Sequence, residues 1–259
     1  MLVDGSIKDI RFLNGGITEV MSEGKVLWEF PQDDKIGAPG NRILLAGNMD
    51  AGWFGEVPSS DFITGDELAR TIGLTAGSSQ YSTEPWLKFA YKGEVCLVAK
   101  KSFRCHLSWN NINAVNAVYG DRIIEIKGKK YAVMLMRGIG EDVQPDPRVL
   151  ISDVQGSANH NSMWNKLMLP IHQNAPSNWY YKNNVKSPTE NWNVGYTDRD
   201  LLTNTNGGKG AYSWCQETVS SESWYLCRGG NNDVSFSGNL GANYSYSGDG
   251  WRPCLKLIG

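Results

Sequence analysis

The C-terminal stretch 210–257 constrains the fold of this chain more than any other part of its sequence. It begins with GAYSWCQETVSSESWYLCRGG, continues through the polar run NNDVSFSGNLGANYSYSGD at 231–249 and ends in GWRPCLKL. The polar run has almost no aliphatic side chains, so it cannot build a core of its own. Trp214, Trp224 and Trp251 lie in or beside it, and large aromatic side chains usually mark a packed region. The pattern predicts a Tyr-, Asn- and Ser-rich surface on an aromatic scaffold, the composition of an antibody-like binding face.

Size and composition set the class of protein. The chain has 259 residues, enough for one large domain or for one domain with a small appendage. Its 29 Gly, 10 Trp and 11 Tyr favour a loop-rich architecture with β-strands over a helical bundle. No stretch approaches the roughly 20 apolar residues that span a bilayer, and the charged N-terminus MLVDGSIKDIRF is unlike a signal peptide. We therefore expect a protein that is made in the cytoplasm and does not insert into a membrane.

The cysteines lie at positions 96, 105, 215, 227 and 254, with no CxxC pair. Because their number is odd, a full disulfide framework is excluded. We expect free and mostly buried thiols. One bridge within the C-terminal region, from Cys254 to Cys215 or to Cys227, remains open as the alternative.

The first part of the chain is predicted to contain two segments. Residues 1–30 form a small β attachment segment of three short strands, with a hairpin signal at 14–16. Residues 31–80 form a linker and a small α/β connector. In the connector, Thr64 and Glu67 have the spacing of a capping box before a short helix.

Residues 81–259 are predicted to form the main domain. Apolar side chains spaced to bury one helix face occur in WNNINAVNAV at 109–118 and in NSMWNKLML at 161–169. Between them lie hairpins and loops rich in Gly, Asn and Pro. The pattern therefore predicts an α+β domain with short antiparallel sheets, two short helices and long loops.

The usual motifs of catalysis are missing from the sequence, which has no GxSxG elbow, no Walker loop and no GxGxxG between a strand and a helix. His106, His160 and His172 are far apart and lack metal-ligand spacing, so packed single histidines are expected. Glu217 is interpreted as a hydrogen-bonded carboxylate that holds a loop, with a general base beside Cys215 as the alternative. We predict no catalytic residue, no metal site and no cofactor.

Arg252 lies between Trp251 and Pro253, near the end of the chain. It is predicted to stack on aromatic rings or to pair with a carboxylate such as Glu217. Pro253 cannot donate to a β-ladder, so it places this segment at a sheet edge or at the start of a strand. Both residues are therefore given structural roles.

Nucleic acid is disfavoured as a partner. The aromatic and Asn content of 231–249 suits base stacking, but single-strand binding also needs a basic groove. Between 203 and 250 the cations are Lys209 and Arg228, against four carboxylates. The net charge of −2 likewise gives no overall basic field.

Several motifs resemble a known group of proteins. Trp214-Cys215 within YSWCQET, a stretch also similar to phage and prophage tail proteins, resembles the end of a C-type-lectin-like domain together with CRGG at 227–230 and GWRP at 250–253, in the branch that contains formylglycine-generating enzymes. FGEVPSSDFITGDELARTIGLTAG, PWLKFAYKGEVCLVAKK, YGDRIIEIKGKKYAVMLMRG and MWNKLMLPIH are similar to tail proteins of phages and prophages. The resemblance implies a C-type-lectin-like domain preceded by a small N-terminal β segment.

Relatives of this kind include receptor-binding tail proteins and the variable proteins of diversity-generating retroelements, such as the phage major tropism determinant. In the variable proteins, adenine-directed mutation changes ligand-facing residues and yields mainly Asn, Ser, Tyr, Asp and Gly, the residues that dominate 231–249. The resemblance implies a receptor-binding protein at the tail tip of a phage or prophage virion, made in the bacterial cytoplasm. It also implies a homotrimer that contacts other tail proteins and a host cell-surface receptor, either protein or glycan.

The ligand-facing residues are expected in and beside the polar run. They are Trp224, Tyr225, Asn231, Asn232, Asp233, Phe236, Asn239, Asn243, Tyr244, Tyr246 and Asp249. One alternative is a purely structural tail or baseplate protein that uses this surface between subunits. Another is an oxidase of the formylglycine-generating type, which is disfavoured because those enzymes use paired cysteines close to the terminus.

Overall fold

The computed structural model describes residues 9–13, 16–22, 25–29, 37–150, 161–174, 190–202, 212–219, 223–230 and 233–258. The chain divides into two compact units, Met1–Gly37 and Ala38–Gly259. The first unit is an antiparallel sheet in the order β1-β2-β3, with β1 at Asp9–Leu13, β2 at Gly16–Ser22 and β3 at Lys25–Glu29. The three strands predicted for residues 1–30 are thereby confirmed.

The second unit is α+β, with two sheets and short helices. Its strands are β4 (Ala46–Gly47), β5 (Ala51–Val57), β6 (Ser78–Ser79), β7 (Trp86–Tyr91), β8 (Glu94–Ala99), β9 (Arg104–Cys105), β10 (Tyr119–Ile126), β11 (Lys129–Met134), β12 (Tyr212–Thr218), β13 (Trp224–Arg228), β14 (Ser237–Gly241), β15 (Asp249–Trp251) and β16 (Cys254–Ile258). One sheet has seven strands in the order β10-β11-β16-β8-β7-β5-β4, all antiparallel. The other has six in the order β14-β13-β12-β15-β9-β6, in which the β12–β15 pair is parallel.

The seven-stranded sheet is buried on both faces near its centre. In β8, Val95, Leu97 and Ala99 join the larger core, which also contains Trp214 and Trp251 of the six-stranded sheet. Side chains of alternate residues point to opposite faces of a strand. Cys96 and Val98 accordingly join a second core on the other face. Strand β16 lies between β8 and β11, so it is an interior strand of this sheet.

Four α-helices occur among the described residues: α1 (Gly65–Ile72), α2 (Trp109–Asn113), α3 (Met163–Leu167) and α4 (Asp198–Leu201). The predicted capping box of α1 is confirmed, since Thr64 Oγ1 accepts the Glu67 N–H at 3.2 Å and Glu67 Oε2 accepts the Thr64 N–H at 3.0 Å. The two helices predicted for the main domain are confirmed as α2 and α3, but both are shorter than expected. The fourth, α4, was not predicted, although Thr197 and Asp200 form a capping box for it.

The boundary predicted at residue 80 does not coincide with the division of the chain into units. β5 pairs with β7 along six residue pairs, from Ala51 opposite Tyr91 to Val57 opposite Trp86. Leu68 and Ile72 of α1 belong to the larger core. Residues 38–80 are therefore part of the second unit, because their strands and their helix complete its sheet and its core.

Two further features of the described residues bear on the sequence predictions. All five cysteines are free and buried, so the prediction of free thiols is confirmed. None of the described helices combines the length and the apolar character needed to cross a membrane.

Candidate functional site

The candidate site lies at the end of the β13–β14 hairpin, on an edge of the six-stranded sheet. β13 and β14 are antiparallel, with Trp224 opposite Gly241 and Tyr225 opposite Leu240. After β14 the chain turns through residues 242–248 and enters β15 at Asp249. The turn is closed by backbone hydrogen bonds from the Ala242 N–H to the Ser223 carbonyl at 2.8 Å and from the Tyr244 N–H to the Gly241 carbonyl at 2.9 Å.

Three aromatic side chains of this region are exposed to solvent. The exposed fractions are 42% for Trp224, 43% for Tyr244 and 68% for Tyr246. The two tyrosine rings lie with their centroids 5.4 Å apart and their planes at 53°. Since buried packing is the usual environment of large aromatic side chains, three exposed rings at the start of β13 and in the turn after β14 are typical of a binding surface.

Gly241 determines where the Tyr244 ring lies. A Cβ atom on Gly241 would come within 2.6 Å of Tyr244 Cδ2. The ring therefore occupies the position of the missing side chain. Because paired residues of antiparallel strands point to the same face, this is also the face to which Trp224 points.

Two amide side chains adjoin these rings. Asn243 is exposed, and its Oδ1 accepts a hydrogen bond from Asn110 Nδ2 at 2.7 Å. Asn110 belongs to α2, and its backbone N–H donates to the Ala242 carbonyl at 3.2 Å. Sequence reasoning missed Asn110, since it meets Asn243 across 133 positions of the chain. We call the surface formed by Asn110, Trp224, Asn243, Tyr244 and Tyr246 the aromatic–amide face.

Two of the predicted ligand-facing residues support the face from below. Asp249 is 3% exposed, and its Oδ2 accepts the Tyr246 N–H at 2.9 Å. Tyr225 is half-buried, and its ring stacks on Trp109 with a centroid distance of 3.9 Å. The prediction that these two side chains face a ligand is therefore corrected: Asp249 holds the turn that carries Tyr246, and Tyr225 joins β13 to α2.

Other predicted residues lie nearer the closed end of the hairpin. Asp233 Oδ1 accepts the Ser235 N–H at 2.8 Å, which tightens the turn before β14. The half-buried Phe236 ring lies 5.7 Å from the ring of Tyr212. Asn239 is half-buried on β14 opposite Leu226. Asn231 and Asn232 lie outside the described residues.

The hairpin rests on a stack of buried side chains around Trp164 of α3. The guanidinium carbons of Arg228 and Arg252 lie 5.8 Å and 5.3 Å from its ring centroid. Arg228 also donates to the Phe236 carbonyl at 3.2 Å, and Trp164 Nε1 donates to the Val234 carbonyl at 2.9 Å. Cation–π contacts strengthen when they are desolvated, so the stack fixes the start of β14 firmly. The predicted stacking of Arg252 on an aromatic ring is confirmed.

Glu217 pairs with Arg137 instead of Arg252. Glu217 Oε1 accepts from Arg137 Nε at 3.0 Å, and its carboxylate also accepts the N–H groups of Gly138 and Ile139 at 3.0 and 3.3 Å. A buried carboxylate with this many donors is a fixed structural group. The interpretation of Glu217 as a loop-holding carboxylate is confirmed.

A buried histidine lies beside Asp198 of α4, and Asp198 connects α4 to the turn before β14. His172 Nδ1 accepts the Asn174 N–H at 3.2 Å, which leaves its Nε2 3.5 Å from Asp198 Oδ1. Asp198 Oδ1 in turn accepts the Val234 N–H at 2.8 Å. His172 is therefore a packed histidine, as predicted, while His160 lies outside the described residues. No cluster of three or more metal-ligating side chains occurs in the described part of the chain.

The thiols of the C-terminal region are held in unreactive surroundings. Burial raises the pKa of Cys227 to about 12, and its Sγ donates to the Gly238 carbonyl at 3.3 Å. Hydrogen bonding to Cys96, together with burial, raises the pKa of Cys254 well above its usual value. The burial of both thiols, and the hydrogen bonding of Cys254, disfavour the thiolate, which is the reactive form.

No family model, no curated protein and no solved structure matches the chain.

Proposed function

We propose that this chain is a receptor-binding protein of a phage or prophage tail, with a C-type-lectin-like domain that presents the aromatic–amide face to the host cell surface. The observation that carries the proposal is the exposure of Trp224 at the start of β13 and of Tyr244 and Tyr246 in the turn after β14, a turn that the buried Asp249 carboxylate holds. Rings held in this way contribute contact area without a large loss of conformational entropy on binding.

The chemistry of the face suits recognition without catalysis. Its five side chains are uncharged, and they combine flat apolar area with amide and hydroxyl groups. Tyr, Trp and Asn side chains supply rigid contacts and adaptable hydrogen bonds in antibody paratopes. Weak binding by one such face is amplified when several copies act together, as in the homotrimer that the resemblance implies.

The exposed residues of the aromatic–amide face differ from the buried residues that hold the hairpin, and this agrees with a surface whose residues vary. Asn243, Tyr244 and Tyr246 lie in the turn, whereas Arg228, Trp164 and Arg252 are buried beneath the hairpin. Exposed side chains of the turn can therefore change with little cost to folding. Variation of this kind is the property that the resemblance to retroelement variable proteins implies.

The proposal is tested by changing Asn243, Tyr244 and Tyr246 together to Ala in assembled particles. We expect particles of normal composition that adsorb poorly to the host. Tyr81→Ala is the matched control, since Tyr81 is 41% exposed and follows β6 at the opposite edge of the same sheet. Normal adsorption of the triple variant would contradict receptor binding, and failure of particle assembly would favour a structural tail protein.

A further inference from the structure

A cleft of about 540 Å³ opens on the face of the seven-stranded sheet that carries the second core. α3 covers one half of this face, where it packs on strands β5 and β7, and its Met163 and Trp164 belong to the second core. The cleft lies over the other half, where β10, β11 and β16 adjoin β8. Small-molecule sites have volumes of about 300 to 1,000 Å³, so the cleft is large enough for one.

A single row of the sheet forms the centre of the cleft floor. Strand pairing places Cys96 opposite Lys256, Lys256 opposite Ala132 and Ala132 opposite Ile123. Residues paired in this way point to the same face of an antiparallel sheet. The ammonium group of Lys256 is thus attached to the middle of a row whose other side chains, those of Cys96, Ala132 and Ile123, are uncharged.

Lys256 lies diagonal to Glu94 on the neighbouring strand but forms no ion pair with it or with any other residue in the described part of the chain. It is half-buried, and it forms no hydrogen bond with a described residue. Two other cations of the cleft are occupied: Lys92 pairs with Glu141, and Arg137 pairs with Glu217. A partly desolvated ammonium group without a partner favours the binding of an anion.

The other lining side chains define the rest of the ligand. Ile123 is 47% exposed although it is a large aliphatic residue, and Met134 and Ile258 are half-buried beside it. These side chains provide an apolar surface next to the ammonium group. Glu94 also lines the cleft, diagonal to Lys256 on the neighbouring strand, and its charge disfavours a second anionic group on the ligand.

We propose that this cleft binds a small monocarboxylate with an apolar body. The carboxylate pairs with Lys256 Nζ, and the apolar body lies along Ala132, Ile123 and Met134. The site is separate from the aromatic–amide face and does not depend on the receptor-binding proposal.

The test uses the full chain with 2-naphthoate as the probe, and with 2-naphthylmethanol as a neutral probe of nearly the same shape. Isothermal titration should show one site that prefers the carboxylate by about tenfold or more, as expected for a charge-assisted hydrogen bond. Lys256→Met, which keeps the side-chain length, should bind both probes equally. Ala132→Leu should weaken both, because its side chain fills the floor.

Thermal unfolding of the two variants serves as the control for folding, and each should unfold at a temperature close to that of the unchanged protein. Three results would overturn the proposal: no binding of 2-naphthoate at about 1 mM, equal binding of the two probes by the unchanged protein, or an unaltered preference in Lys256→Met.

Discussion

Gly241→Ala should weaken ligand binding while leaving the fold intact. The added Cβ would come within 2.6 Å of Tyr244 Cδ2 and 2.7 Å of Tyr244 Cε2, both closer than atoms can approach. The Gly241 backbone does not have a positive φ, so alanine fits the strand without strain. The ring of Tyr244 is 43% exposed and can rotate into solvent. The substitution therefore moves one side chain of the aromatic–amide face and little else.

The two effects of this substitution have different magnitudes. Alanine lowers the entropy of the unfolded chain relative to glycine, a stabilisation of about 0.4 to 1 kcal/mol. Loss of the contact between the tyrosine rings costs about 0.5 to 1.5 kcal/mol. The free energy of unfolding should therefore change by less than about 1 kcal/mol. The affinity of the aromatic–amide face of one chain for the host cell surface should fall about threefold to tenfold.

The assay is equilibrium binding of labelled full-length protein to host cells, with urea unfolding measured in parallel. The control is Gly241→Ala in a Tyr244→Ala background. If the alanine acts by moving the ring, it has no further effect once the ring is gone, so the double variant should bind like Tyr244→Ala alone. An equal loss of binding in both backgrounds would refute this reasoning, as would a loss of stability above about 2 kcal/mol.

Four further predictions concern the support of the face and the fold. Trp164→Ala should lower the free energy of unfolding by about 3 to 5 kcal/mol in urea, because it removes a fully buried ring, and a loss below about 1 kcal/mol would contradict the role of the stack. Burial raises the pKa of Asp249 from 3.8 to about 6, so the folded protein binds this proton more tightly than the unfolded chain does. The resulting stabilisation is complete below pH 3.8 and is lost as the pH rises through 6, so Asp249→Asn should reduce the dependence of the unfolding temperature on pH in this window, and an unchanged profile would contradict the assignment. Thr64→Ala should cost about 1 kcal/mol in urea unfolding through the lost cap of α1, whereas a neutral result would show that the cap does not contribute. A thiol reagent should modify the five buried cysteines only after unfolding, and rapid modification of the native protein would contradict their burial.

Local patterns in the sequence predict much of the fold. The capping box at Thr64 and Glu67, the strands of residues 1–30 and the apolar faces of α2 and α3 depend on neighbouring residues, and all were recognisable. α4 was missed because its four residues are too few to show a helical period. The boundary at residue 80 was misplaced because β5 finds its partner β7 only through long-range pairing.

The candidate site was predictable only in part, because composition locates exposed residues but not the contacts between distant parts of the chain. Composition located the exposed rings of Tyr244 and Tyr246, since polar runs with aromatic residues tend to lie at the surface. It could not separate them from Asp249, because a carboxylate that caps a turn and one that faces a ligand look alike in sequence. Asn110 could not be predicted from the sequence, since its contact with Asn243 exists only once α2 is packed beside the hairpin.

Competition for host adsorption tests receptor binding by the aromatic–amide face most directly. Purified full-length protein is added in excess to host cells before the particles that carry it, and the fraction of adsorbed particles is counted. We expect the unchanged protein and Tyr81→Ala to block adsorption, and the Asn243, Tyr244 and Tyr246 triple alanine variant not to block it. Equal blocking by the triple variant would contradict receptor binding by the aromatic–amide face, as would a lack of blocking by the unchanged protein.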